Sequence, residues 1–154
     1  SKPYYHAVRK EDIEEIDIPS GKIRLLAGSY KSHKGFKGHH LPLDYYDIQL
    51  ASSGEITLDT KEDASIMVFT LIGDISIEGD KVKEKTAAKL TNGDKLTIKN
   101  ESDFAQVLFI SSRALNEPIA WAGPIVMNSK QELKEAFNDL ETGNFIRNDL
   151  TFEK

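Results

Sequence analysis

Residues 65–79 read "SIMVFTLIGDISIEG": a long apolar run, a Gly-Asp break, then a shorter alternating run. Ile75 and Ile77 are separated by one polar residue, the period of a half-buried strand. Residues 65–72 are apolar at successive positions, as in a strand covered on both faces. The same grammar extends outward. Strand-like runs occupy 22–28, 45–51, 54–59, 86–91, 94–100 and 104–112, and the last of these is again apolar on both faces. Leu96 and Ile98 repeat the alternation. The breaks are "SSG", "GD", "EGD" and "NGD", all turn chemistry. Short strands at even spacing between Gly/Asp turns predict an all-β barrel or jelly roll.

The chain has 154 residues, 39% hydrophobic and 29% charged, the make-up of one globular domain. No apolar run approaches a membrane span and no signal-peptide pattern opens the chain. It opens on Ser1 rather than Met, which reads as a trimmed chain or a fragment. The net charge is -5, with both signs interspersed, so no basic stripe is offered to DNA or RNA. The nearest approach, "KSHKGFKGHH" at 31–40, reads as a solvated loop broken by Gly35 and Gly38. With no cysteine, disulfides, thiolate metal sites and a Cys nucleophile are excluded. A cytoplasmic location fits that composition.

Residues 1–22 read as a polar lead-in, and helix appears only near the C-terminus, over 129–141. Ser129 and Glu132 have capping-box spacing. Leu133, Ala136, Phe137 and Leu140 form one apolar stripe, and Gly143 stands where a left-handed stop belongs. The tail retains Phe145, Ile146, Leu150 and Phe152, which predicts a docked rather than a solvated end.

The stretch before and through this helix, "EPIAWAGPIVMNSKQELKEAFNDLETGNF" (117–145), resembles the C-terminal signature of pirin-like proteins. In that family Glu-Pro-(Ile/Val) precedes Gly-Pro, Val-Met-Asn, a short helix and Gly-x-Phe. Here Glu117, Pro118, Gly123, Pro124, Val126, Met127, Asn128, Ala136, Phe137, Gly143 and Phe145 fit it. Upstream, "RLLAGSYKSHKGFKG" and "VFTLIGDISIEG" resemble two further family segments. The resemblance implies a cupin jelly-roll β-barrel over 23–154 with one short C-terminal α-helix, and a packing role for the signature residues. Family members are bicupins about twice this length, whose N-terminal barrel holds one metal, usually iron, through three His and one Glu. Only the C-terminal barrel is matched here. Residues 1–22 would then be the linker from an absent N-terminal cupin, unless the chain is a stand-alone relative.

Cupins carry two metal-binding motifs, and their frame can be laid on this chain. Gly54 is followed by five residues, Thr60-Lys61-Glu62, three residues, Ile66, six residues and Gly73. The ligand positions, two His and a Glu in metal-binding cupins, therefore read Thr60, Glu62 and Ile66. A four-residue gap would substitute Asp59 and Lys61, which is no better. The second motif keeps Gly93 and Asn100, but its His position is Leu96. Ile66 and Leu96 have no lone pair to give, Thr60 is a poor ligand for a first-row metal, and one carboxylate cannot hold iron. The expectation is no metal and no cofactor in this chain, with iron only in an N-terminal cupin of the intact protein. His6, His33, His39 and His40 read as surface residues. Neighbours 39 and 40 point to opposite sides of an extended chain, so they are poorly placed to share an ion.

No other chemistry is well supported. The Ser pairs at 52–53 and 111–112 lack a nucleophile-elbow setting, and "GFKG" lacks the context of a phosphate loop. Asp47 and Gln49 alternate with Ile48 and Leu50, giving a polar face that lines the barrel mouth or, the favoured reading, turns to water. Gln106, within an apolar run, reads as a structural bridge in preference to the one polar contact of a ligand pocket, and Trp121 as an anchor at a packing seam. No catalytic residue is expected. The reading is a metal-free C-terminal cupin that partners a metal-binding N-terminal barrel structurally or regulates it. The other partner to consider is a second copy, as a homodimer. The alternatives are a stand-alone cupin binding a small apolar ligand, or part of an iron-dependent enzyme resembling quercetin 2,3-dioxygenases. The resemblance also extends to family members that act as transcription cofactors. Neither activity is expected in this chain alone.

Overall fold

The computed structural model describes residues 5–91 and 93–146. Two compact units emerge, one formed by Val8–Ala114 and the other by residues 5–7 with 115–146.

The larger unit is two antiparallel sheets facing each other across one apolar core. The strands are β1 (Glu14–Ile18), β2 (Gly21–Ala27), β3 (Ser29–Tyr30), β4 (His33–Lys34), β5 (Leu43–Ala51), β6 (Glu55–Asp59), β7 (Ala64–Ile72), β8 (Ile75–Ile77), β9 (Asp80–Val82), β10 (Ala87–Leu90), β11 (Lys95–Asn100) and β12 (Phe104–Arg113). One sheet has the order β1-β2-β5-β12-β7-β10, and the other β6-β11-β8-β9. β3 and β4 make a small separate hairpin. No ladder among the described residues joins the two sheets, so the jelly roll is open rather than a closed cylinder.

Alternation explains the core. Ile23, Ile48, Val68 and Val107 from the larger sheet meet Ile56, Ile75 and Ile98 from the smaller in one cluster. The Gly-Asp break at 73–74 separates β7, in one sheet, from β8, in the other. Gly73 has φ +75, and a Cβ there would lie 2.3 Å from the carbonyl oxygen of Phe104, so only glycine turns this corner without strain.

The structure revises several expectations. The lead-in is not all linker: Glu14–Ile18 pairs along β2 with Ile16 opposite Ile23, because Ile16 and Ile18 supply the alternation that an edge strand needs. The loop at 31–40 includes β4, and Phe36 bridges to Ala27. Strands β7 and β12 bury only one face fully. Ile66, Val68, Ala105, Val107 and Phe109 are buried, while Met67, Ile72 and Phe104 are exposed. An apolar run thus marks a core strand without proving that both faces are covered.

The smaller unit contains a hairpin, β13 (Ala120–Ala122) with β14 (Ile125–Met127), and the helix α1 (Lys130–Glu141) packed on it. The predicted caps are both present. The Glu132 N–H donates to Ser129 Oγ at 3.2 Å and the Ser129 N–H donates to Glu132 Oε2 at 2.9 Å. At the other end the N–H of Gly143 donates to Leu140 and that of Asn144 to Asp139, a Schellman closure made possible by φ +75 at Gly143. Of the stripe, Ala136 is buried, Leu133 and Phe137 half-buried and Leu140 exposed. The first tail residues, Phe145 and Ile146, are exposed. Leu150 and Phe152 lie outside the described residues.

Candidate functional site

The cupin ligand positions come together only in part. Thr60 follows β6, Ile66 lies on β7 and Leu96 on β11. All three line one cleft of about 230 Å³ together with Ile77, Leu90, Glu78 and Lys95. Glu62 lies exposed in the β6–β7 turn and outside that cleft. Thr60 is committed elsewhere: its hydroxyl donates to the carbonyl of Gly93 at 2.7 Å, and its N–H to that of Asp94 at 2.8 Å. This sidechain therefore pins the β6–β7 corner to the β10–β11 loop. Ile66 and Leu96 are buried in the core cluster. The scaffold that would aim ligands at an ion aims aliphatic groups instead. Two alkyl side chains and a spent hydroxyl do not fit iron or any other first-row metal.

Among the described residues, no three His, Cys, Asp or Glu side chains are grouped to hold a metal ion. His33 Nδ1 lies 2.6 Å from Glu14 Oε1, tying the β3–β4 hairpin to β1. His6, His39 and His40 are exposed, and His39 and His40 line a second, larger cavity.

The buried polar groups are structural. Asp47 does not face water: it is 4% exposed. It accepts from Arg24 Nη1 at 3.0 Å and from Gln106 Nε2 at 2.8 Å. Strand alternation put Asp47 on the polar face, but its neighbours on β2 and β12 seal that face, and only the strand order reveals them. Gln106 is the bridge it was read to be. Asn100, at the end of β11, reads in the sequence only as a retained motif residue, which does not foretell its hydrogen bonds across the fold. Its Nδ2 donates to the carbonyls of Leu50 and Ala51 on β5, at 3.2 and 2.7 Å, and its Oδ1 accepts from the Ser102 N–H at 2.8 Å. One side chain thus links the two sheets. Tyr46 stacks on Phe109 and donates its hydroxyl to the Ser29 carbonyl at 2.5 Å. Burial, reinforced by the Asp44 carboxylate, raises its pKa well above that of an ordinary phenol. None of these groups pairs a nucleophile with a base.

The signature residues gather in the smaller unit. Asn128 Nδ2 donates to Glu117 Oε2 at 2.9 Å and to the Pro118 carbonyl at 3.2 Å, closing the base of the β13–β14 hairpin. Gly123 and Pro124 form its tip, with φ +55 at Gly123. Met127 lies on β14, Phe137 on α1 and Gly143 at its stop, while Phe145 is exposed. Trp121 is not a buried anchor. It is 72% exposed, with its indole N–H donating to the Gly123 carbonyl at 2.6 Å. In register opposite it, Val126 is 60% exposed, and Ile119 just before the strand is 79% exposed.

The profile of the pirin C-terminal cupin domain matches residues 45–146. The chain belongs to the pirin C-terminal cupin family. This pirin-type chain is 34% identical to a Pseudomonas aeruginosa protein provisionally named a quercetin 2,3-dioxygenase, over 94% of this chain and 51% of that one. It is 23% identical to human pirin, over 90% of this chain and 49% of the human protein. A crystal structure titled quercetin 2,3-dioxygenase, from Acinetobacter baumannii, superposes with TM-score 0.85 at 32% identity, covering 93% of this chain and 51% of that one. The pirin-type chain therefore spans about half the length of the curated relatives it matches, and its fold is the cupin jelly roll. No helix among the described residues is long and apolar enough to cross a membrane.

Proposed function

We propose that this chain is the metal-free C-terminal cupin of a pirin-type bicupin, a structural and regulatory partner of a metal-bearing N-terminal cupin. One observation carries the reading: Ile66 and Leu96 are buried where metal ligands would stand, in a cleft shared with Thr60, whose hydroxyl is already bonded. Any iron-dependent chemistry akin to that named for the quercetin 2,3-dioxygenase relatives then belongs to the other half of the polypeptide. The apolar face of the β13–β14 hairpin, formed by Ile119, Trp121 and Val126, is the contact we assign to that half. The cysteine-free composition supports a cytoplasmic setting. The alternative of a small apolar ligand finds only about 230 Å³ in the cleft, below the roughly 300–1,000 Å³ of most ligand sites.

The test is elemental analysis of tag-free protein, once for this chain alone and once for the uninterrupted reading frame including its upstream half. Iron near one equivalent in the long form and absent from the short form is expected. Stoichiometric iron on this chain alone would overturn the reading. So would an upstream frame with no second cupin.

A further inference from the structure

A second cavity, of about 600 Å³, opens at the end of the jelly roll where β5 begins. It shares no residue with the cleft of the cupin ligand positions. Its size falls within the ordinary range of small-ligand sites. Its lining is basic: Lys34, Lys37, Lys61, His39 and His40 stand against a single carboxylate, Asp44. That carboxylate is engaged by the fold, accepting from the Ser29 N–H at 3.2 Å. Among the described residues no acidic side chain lies within ion-pair distance of the three lysines. The local charge also runs against the rest of the molecule. Residues 31–43 hold no Asp or Glu, whereas the whole chain has 25 acidic residues to 20 Lys and Arg. Lys61 reaches the cavity from the β6–β7 turn, a separate part of the chain, so the positive lining is assembled by the fold rather than by one basic run.

We infer that this cavity binds a small polyanion carrying two or more phosphate or carboxylate groups. Three lysines lining one concave site suit several oxyanions on one ligand better than a single one, and lysine holds such oxyanions as a mobile point charge. The site does not depend on the chain docking to a second cupin.

The experiment titrates the 154-residue chain with inorganic pyrophosphate and, separately, with citrate at low ionic strength, following backbone amide shifts. Saturable one-site binding is expected for at least one probe, with shifts concentrated at residues 28–44 and at Lys61. The probe that binds identifies the preferred oxyanion. A Lys34→Gln/Lys37→Gln/Lys61→Gln variant should lose about tenfold in affinity. A Lys89→Gln/Lys99→Gln/Lys134→Gln variant, with the same charge removed elsewhere, should stay within about twofold of the parent. Failure of both probes to saturate at millimolar concentration overturns the inference. Equal losses in the two variants also overturn it, because binding would then follow net charge alone.

Discussion

Asn100 holds the two sheets with one amide. It is 2% exposed, and removing it strands the Ser102 N–H and takes a side-chain donor from the Leu50 and Ala51 carbonyls, of which Ala51 keeps the Gly54 N–H. A buried polar group without its partner costs about 1–3 kcal/mol. Asn100→Ala should therefore lower unfolding free energy by about 1–3 kcal/mol in urea titration. Asn100→Asp should cost at least as much, since it turns a carboxylate toward two carbonyl oxygens. A loss below about 0.5 kcal/mol for the alanine variant would show that the sheets are held by apolar contact alone. Tyr46 yields a pH prediction. Burial favours its neutral phenol, so the folded chain keeps a proton that the unfolded chain releases near the ordinary value of about 10. Its contribution is complete below pH 10 and falls as pH rises beyond it. Melting curves from pH 8 to 11.5 should show the parent losing stability above pH 10. Tyr46→Phe should be less stable by about 1 kcal/mol below that pH, with the gap narrowing above it.

At the scale of elements, residues differ in how much their sequence neighbourhood reveals. The caps of α1 depend on local spacing, and Ser129, Glu132 and Gly143 do in the structure what their spacing implied. The long strands β7 and β12 were equally plain from their apolar runs, and β5 from its alternation. Short or paired features were less plain. β1 hides among acidic residues, because its single buried Ile16 becomes meaningful only once β2 lies beside it. The burial of Asp47 depends on Arg24 and Gln106, which are 23 and 59 residues away in sequence. The basic cavity is invisible for the same reason, since Lys61 joins residues 28–44 only in the folded chain. The gathering of Thr60, Ile66 and Leu96 in one cleft was legible because the cupin motifs fix their spacing, while the position of Glu62 outside it was not. The helix caps give a direct test. Ser129→Ala should weaken α1 by about 1 kcal/mol. Gly143→Ala should cost a similar amount through its positive φ. Hydrogen exchange should quicken at the first turn in the former and at the last turn in the latter, with protection of β5 and β12 unchanged. Loss of protection in β5 or β12 would mean that the helix and the jelly roll unfold as one cooperative unit.

At the scale of the whole molecule, the basic cavity belongs to the jelly-roll unit, whereas Ile119, Trp121 and Val126 belong to the hairpin of the other unit. Those side chains form an exposed apolar face on a two-stranded ribbon, the kind of surface that marks an interaction site. Trp121 is the only tryptophan in the chain, so it reports on that face without labelling. Emission characteristic of a solvated indole is expected for this chain alone. Addition of the separately expressed upstream half should blue-shift it and protect it from acrylamide quenching. Trp121→Ala should weaken that association by about 2 kcal/mol or more, as expected of a buried aromatic anchor, while Lys89→Gln should leave it unchanged. Concentration-dependent protection without the upstream half would instead make the face a homodimer contact. An indole that stays quenchable at saturating upstream half, when the two copurify, would place the joint elsewhere and leave the hairpin with a purely structural role.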